Sequence, residues 1–450
     1  MGKKKDEWVT RKQRRDENDR NPLLCLYRIL AHFFAEFEEW IEELEDPRNK
    51  SYIVYSQYHL IFVAILKNIC SIMSMRSMTE NFNDDICIQN LSQLTGDPDL
   101  QEIPHYDTVN YYLGKLSPQN LATVRTEMIR ALIRSKVFDN ARLCDKYWRI
   151  IIDGTGLAYF KEKHCENCLR DEYTTEDGKK RVRYYHKVLE AKLVLAENIV
   201  ISIDSEFIEN ENEDVNKQDC EINAAKRLIE RLKKTFPRLR ICLQGDALYE
   251  AETIMELSSK NSWKYLLTHK DARQLLVGEA YELLDNTDKE KVVNIGPEKG
   301  TGYFYNNVEK LVDKKQVMNI VEYVYKQDDT EYHMYWVTNI NMTKAKTEKV
   351  ITAGRGRWMI ENEGFNKQKN VLYYIEHLNS RNYTAMKNHY LITQIADIIM
   401  QLYLAWNSAH KTVMESISNA ASWILESFRK QVITSEDIAW AHQRTSLYLQ

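Results

Sequence analysis

Apolar residues recur at three- and four-residue steps through the first third of the chain. Leu24 and Tyr27 begin one such series, which predicts a helix over about 23–45. A similar series predicts a buried helix over 57–78. We therefore expect residues 1–145 to be all-helical.

Beyond Tyr147 the pattern changes to short apolar runs typical of strands, separated by two amphipathic helices. The first run, 149–153, ends in an acid followed by Gly154, which predicts that the strand stops there. The order of three strands, helix, strand, helix and strand predicts an α/β fold with a mixed sheet and flanking helices. The other predicted elements are strands at 188–196, 199–203, 240–244 and 263–268, and helices at 219–236 and 250–259.

Strand-like runs also fill the segment before Arg357, which is too long for a connecting loop. They predict an inserted β-rich subdomain. The predicted organisation has five regions: a helical N-terminal DNA-binding region (1–145), the first part of the α/β core (146–270), the β-rich insertion (271–350), the second part of the core (351–410) and a C-terminal helical tail (411–450).

Two acids lie at the ends of predicted strands: Asp153 in RIIIDGTG and Asp246 in ICLQGDALYE. Either acid alone could cap a turn, which is an ordinary structural role for Asp. Two strand-end acids in one consistent topology favour a metal site instead, because carboxylate oxygens are ligands for Mg²⁺. Two such ions can clamp the attacking and leaving oxygens of a phosphodiester.

A third acid is expected from the predicted helix RWMIENEGFNKQKN, which begins at Arg357. It offers Glu361 and Glu363, and residues two apart on a helix cannot share a face. Arg357 and Glu361, four residues apart, do share one. Glu361 is the prediction, and Glu363 remains the alternative.

These motifs resemble those of the DDE transposases of bacterial insertion sequences, in the group with DGTG, HCxxCL, GDALY and IENEGFNxQKN. The resemblance covers about 107–370. It implies a ribonuclease H-like catalytic domain in which Asp153, Asp246 and Glu361 are both the catalytic residues and the metal ligands. It also implies Mg²⁺, or Mn²⁺, as cofactor. The implied reaction is cleavage at the element ends, followed by attack of the freed 3′-hydroxyl on target DNA.

The chain departs from the family signature at two positions. The signature places a Tyr, an Arg, the catalytic Glu and a Lys on one helix, but Gly354 stands at the Tyr position and Gln368 at the Lys position. Phe365 also lies one residue later than the Phe of the family signature. The same one-residue shift would make Lys369 the equivalent of the signature Lys.

The net charge of −4 is not typical of a nucleic-acid-binding protein. Binding to DNA would therefore need positive charge that is concentrated at one part of the surface. The resemblance implies that Arg357 and Lys369 contact phosphate, with Lys367 beside them; ion pairs on a helix surface are the alternative. The run KKRVRYYHK, which ends at Lys187, could follow a DNA backbone or form a charged hairpin face.

Eight irregularly spaced Cys fit a reducing compartment better than a disulfide framework. Cys165 and Cys168 form one CxxC, which is half of a zinc site. A structural Zn²⁺ held with a His or a later Cys is one interpretation, and free thiols are the favoured one. With no apolar run of membrane-spanning length and no signal-like start, we expect a cytoplasmic, nucleoid-associated bacterial protein.

The leading hypothesis is a transposase that acts as a homodimer in a synaptic complex with terminal-repeat DNA and target DNA, away from membranes. One alternative is a nuclease of the same fold that does not join strands. The other is a transposase-derived DNA-binding protein with a defective active site.

Overall fold

A computed structural model describes residues 21–176, 178–210, 218–270, 281, 289–309, 317–409 and 416–443. The chain divides into two compact units. Residues 1–135 and 367–450 form one, called here the helical unit. Residues 136–366 form the other, called the sheet unit.

Helices account for all the regular structure described in the helical unit. No helix in the described part of the chain is long and apolar enough to cross a bilayer. The α- and π-helices among the residues described, in both units and in chain order, are α1 (Pro22–Phe33), α2 (Phe37–Glu42), α3 (Gln57–Ile69), α4 (Met75–Phe82), α5 (Asp85–Thr95), α6 (Tyr106–Lys115), α7 (Pro118–Ser135), α8 (Glu221–Thr235), α9 (Glu252–Lys260), α10 (Lys344–Arg355), a π-helix (Ile360–Val371), α11 (Tyr383–Ala409), α12 (Ile417–Lys430) and α13 (Ser435–Ala441).

Helix α3 lies at the centre of the helical unit, because every one of its residues is buried. Helix α11 packs against α3, α6 and α7. The helix predicted over 57–78 is two helices, since the chain turns between α3 and α4, where Ser71 has a φ of 56°. That left-handed conformation interrupts a helix.

The sheet unit is built on ten strands among the residues described. They are β1 (Trp148–Phe160), β2 (Leu169–Thr174), β3 (Lys180–Ala196), β4 (Ile199–Ile208), β5 (Ile241–Gly245), β6 (Lys264–His269), β7 (Glu290–Ile295), β8 (Gly300–Glu309), β9 (Val317–Gln327) and β10 (Thr330–Thr338).

The first six strands have the ribonuclease H-like arrangement. Strand β1 pairs antiparallel with β3, which pairs antiparallel with β4. On its other side β1 pairs parallel with β5, and β5 pairs parallel with β6. All five residues of β5 are buried, as expected of a parallel strand inside a sheet. The predicted α/β fold class is confirmed.

Strand β1 is much longer than the sequence predicts. It continues past Asp153 to Phe160, because its second half pairs with β3 as far as Phe160 opposite Tyr184. Asp153 therefore lies within the strand, and the prediction that the strand ends there is wrong. Strand β2, which the sequence analysis missed, pairs with the first half of β3.

The segment predicted to be β-rich supplies strands β7 to β10. These strands continue the central sheet, since β10 pairs antiparallel with β6 and is followed outwards by β9, β8 and β7. Helix α10 packs against this part of the sheet.

Trp336 of β10 joins the sheet to α10. Its buried ring lies in a core cluster with Val350 and Ile351 of that helix. A β-carbon built on Gly354 would lie 2.5 Å from Cε2 of Trp336. The ring therefore explains the missing Tyr of the family signature, because no side chain fits at position 354.

We predict that Gly354→Ala lowers the stability of the sheet unit by about 1–3 kcal/mol, the usual cost of overpacking a core. Thermal and urea unfolding of the full chain measure the change. Gly364→Ala is the matched control, since its β-carbon would meet nothing closer than 3.6 Å. An equal effect of the two substitutions would contradict this account of Gly354.

Candidate active site

Parallel pairing brings Asp153 and Asp246 to one level of the sheet. Ile151 of β1 is the register partner of Gln244 of β5. Each acid follows its strand partner by two residues, and neighbouring strands lie about 4.8 Å apart. The two carboxyl groups therefore start from adjacent points on the same side of the sheet.

Glycines beside the two acids make room for close packing. A β-carbon on Gly154 would lie 2.5 Å from Oε2 of Glu221. One on Gly245 would lie 2.8 Å from Cδ2 of Tyr249. The backbone also orients both acids, since the amide of Gly154 donates to Asp153 Oδ1 (2.9 Å) and that of Leu248 to Asp246 Oδ1 (2.8 Å).

A hydrogen bond joins the end of α10 to strand β5, close to Asp246. The buried side-chain amide of Gln244 donates to the carbonyl of Ala353 over 2.7 Å. The chain then makes a 3-10 turn, Gly356–Trp358, which carries Arg357. Arg357 Nη1 lies 3.7 Å from Asp153 Oδ2 and 3.3 Å from Glu361 Oε1, so one guanidinium bridges two of the predicted acids.

Glu361 lies at the start of a π-helix, not of the α-helix expected from the sequence. In a π-helix, residues five apart share a face, because its hydrogen bonds run from i to i+5. Ile360 and Phe365 accordingly pack into one core cluster with Ile151 of β1. The displacement of Phe365 by one residue from the family pattern matches this longer repeat.

The pKa of Asp153 is raised to about 6, first by burial and also by the nearby carboxylates of Asp246 and Glu361. The Gly154 amide and the Arg357 guanidinium act in the opposite direction. Asp246 and Glu361 thus lie close enough to Asp153 to disfavour its charge, beside one bridging Arg. This excess of negative charge, offered by oxygen atoms, fits a divalent cation of the Mg²⁺ class.

Glu221 and Tyr249 border the acids, although the sequence motifs did not predict a place for them in the site. The phenol of Tyr249 donates to Glu221 Oε2 (2.7 Å), and Lys187 Nζ lies 2.5 Å from Glu221 Oε1. Burial and Glu221 raise the pKa of Tyr249, and Asp153 and Asp246 raise it further, as expected of a phenol near both acids. The presence of Tyr249 in the GDALY motif, three residues after Asp246, is the sequence feature that could have indicated its place near the site.

Glu190 is a further acid that the sequence did not reveal. It is the register partner of Asp153 on β3 and is fully buried. Ser205 donates to its Oε2 over 2.6 Å, and Ser202 donates to its Oε1. Hydrogen bonds of this kind stabilise a carboxyl group that is removed from water.

The lysines predicted to contact DNA fall in different parts of the fold. Lys187 lies on β3 in the sheet unit, paired with Glu221. Lys367 and Lys369 belong to the helical unit, where Lys369 Nζ lies 2.8 Å from Glu376 Oε1. Gln368 between them is fully buried and donates to Asp397 over 2.8 Å, so it has a packing role.

Comparison with known proteins assigns the chain to a family. The profile of the transposase DDE domain matches residues 145–396, more than half of the chain, including both strand acids and Glu361. The chain belongs to the DDE transposase family. It also shows similarity to the cryo-EM structure of a piggyBac transposase synaptic complex with hairpin DNA, at 10% identity and a TM-score of 0.44, covering 94% of this chain and 82% of that one. Curated protein sequences give no match.

We predict that Asp153 contributes less to the stability of the metal-free transposase as the pH rises from about 4 to about 6. A carboxyl group whose pKa is higher in the folded chain than the ordinary 3.8 binds its proton more tightly when folded. Its contribution is therefore fully present below pH 4 and is lost by about pH 6. Asp153→Asn should remove it, on the order of 2 kcal/mol.

Unfolding in EDTA at a series of pH values measures the effect, as the difference between Asp153→Asn and the unmodified chain. This difference should grow in favour of the variant up to about pH 6 and then level off. Asp328→Asn, at an exposed turn, is the control and should show no such trend. A flat difference for Asp153→Asn would contradict the assigned environment.

Proposed function

We propose that this chain is the transposase of a bacterial insertion sequence, cleaving DNA at the element ends and joining the freed ends to target DNA. The observation that carries the proposal is the grouping of Asp153 and Glu361 around Arg357, with Asp246 directly after the neighbouring strand β5. Family membership supports the same conclusion.

Asp153, Asp246 and Glu361 are the proposed ligands of a divalent metal, with Mg²⁺ the expected ion and Mn²⁺ a substitute. When bound, such ions lower the pKa of a coordinated water and stabilise charge on phosphoryl oxygens. Glu361 is preferred over Glu363 because its carboxylate contacts Arg357 and raises the pKa of Asp153.

The protein side chains position the DNA and balance its charge. Arg357, whose side chain is largely buried, is pre-oriented by Asp153 and Glu361 and can turn a fork of N–H donors towards a phosphate. In the first step a water oxygen attacks phosphorus and the bond to the 3′ oxygen breaks. In the second, that 3′-hydroxyl attacks a target phosphodiester, so each step forms one P–O bond and breaks one.

We propose that DNA is also contacted away from the metal site, by Lys187, Lys367 and Lys369 and by the helical N-terminal region. Each lysine can neutralise a backbone phosphate, which would make binding depend on salt concentration. Family membership supports a homodimer that holds two element ends in a synaptic complex, acting in the bacterial cytoplasm at the nucleoid.

We predict that Asp153→Asn, Asp246→Asn and Glu361→Gln each reduce cleavage by about 10³-fold or more, because each removes a charged metal ligand. The substrate is a plasmid that carries the DNA flanking the coding sequence on both sides, incubated with Mg²⁺ and a target plasmid. Cleaved ends and joined products are scored separately, and EDTA should abolish both.

Glu363→Gln is the matched control, two residues from Glu361 on the same helix, and should retain most of the activity. Cleavage without joined products in the unmodified protein would favour the nuclease alternative. Binding of the flanking DNA without cleavage would favour the defective DNA-binding alternative. An inactive Glu363→Gln variant together with a fully active Glu361→Gln variant would overturn the choice of the third acid.

A further inference from the structure

A second group of side chains that could hold a metal ion lies in the sheet unit, away from the acids. Cys165 and Cys168 belong to the connection between β1 and β2, and His186 lies on β3. Among the described residues, these three form a cluster with metal-ligand spacing. His186 and Cys168 are buried, and Cys165 is partly exposed.

Strand pairing explains how residues so far apart in sequence meet. Leu169 at the start of β2 is the register partner of Tyr185 on β3. In an antiparallel pair, the residue before Leu169 faces the residue after Tyr185, so Cys168 comes opposite His186. The sequence alone does not show which histidine lies beside the CxxC, because this depends on the pairing of β2 with β3.

The three ligand atoms have the separations of a tetrahedral zinc site. The two Sγ atoms are 3.7 Å apart, and His186 Nε2 lies 3.4 Å from Cys165 Sγ and 3.6 Å from Cys168 Sγ. With Zn–S near 2.3 Å and Zn–N near 2.0 Å, tetrahedral geometry requires about 3.8 Å between sulfurs and about 3.5 Å between sulfur and nitrogen. A disulfide would need the sulfurs about 2.05 Å apart.

The backbone around the cysteines is held by a second layer of hydrogen bonds. The amide of Cys168 donates to the carbonyl of Cys165 (3.3 Å), closing the CxxC turn. The side chain of Asn210, just beyond β4, donates to the Cys168 carbonyl (2.9 Å), and that of Asn167 donates to the Asn210 carbonyl (3.0 Å). Such supporting contacts orient metal ligands.

We propose that Cys165, Cys168 and His186 bind a structural Zn²⁺. A water or the adjacent His164 supplies the fourth ligand. The site is independent of the proposed catalytic metal, since it uses sulfur and imidazole in place of carboxylates, a choice that favours zinc over Mg²⁺.

The ion would brace the β-ribbon formed by β2 and the paired parts of β1 and β3. This ribbon carries a basic and aromatic face, where Arg183 lies over the rings of Tyr159 and Tyr173 and Tyr159 stacks on Tyr185. Two strands alone are marginally stable in water, and three strands need a hydrophobic face or further packing to be stable. A zinc that joins the β1–β2 connection to β3 would therefore order this surface.

Zinc content and cobalt spectroscopy of the purified full chain test the proposal. Under reducing conditions we expect about one Zn²⁺ per chain, and Co²⁺ exchanged into the site should show thiolate-to-cobalt charge transfer and the intense visible bands of a tetrahedral ion. Cys165→Ser, Cys168→Ser and His186→Asn should each weaken zinc binding at least tenfold. Cys144→Ser, outside the cluster, is the control and should keep the ion.

The cobalt spectrum of the unmodified chain does not depend on how well any variant folds. A spectrum without sulfur charge transfer, in protein that takes up no Zn²⁺, would overturn the proposal. Zinc retained at full affinity in all three ligand variants would also overturn it. Loss of the ion in His164→Ala would identify the fourth ligand and support the site.

Discussion

Because β1 and β5 run parallel with Ile151 opposite Gln244, the residues that follow these partners emerge side by side from the middle of the sheet. This pairing determines where every other component of the site must lie. Asp153 and Asp246 project from it, Gly154 and Gly245 leave space beside it for Glu221 and Tyr249, and Gln244 binds the end of α10 next to it. The turn with Arg357 and the π-helix with Glu361 then begin beside the two strand acids.

The resulting site concentrates negative charge where water is partly excluded. A buried acid is stabilised by losing its charge, and the pKa of Asp153 is raised first by burial and then by Asp246 and Glu361, which outweigh the opposite effects of the Gly154 amide and Arg357. Such an arrangement costs folding stability in the metal-free protein. A bound dication would offset that cost, so stability and proposed activity are coupled through the same few side chains.

Much of the sheet could be predicted from the sequence, because the apolar runs of β1, β3, β4, β5 and β6 are bounded by turn residues and helices. The length of β1 and the existence of β2 could not, since both depend on pairing with the charged first half of β3. For the same reason His186 could not be joined to the CxxC. The one-residue shift at Phe365 was visible in the sequence, but its cause, a π-helix packed on Ile151, is a tertiary effect. Gly354 was likewise visible as a departure, and only the ring of Trp336 explains it.

The central claim is that Asp153, Asp246 and Glu361 together form one divalent metal site. Anomalous diffraction from crystals of the chain equilibrated with Mn²⁺ tests it most directly. The account predicts two manganese peaks about 4 Å apart, in contact with all three carboxylates. Peaks coordinated by Glu363 with Glu361 turned away, or no peak at the carboxyl end of β5, would contradict it.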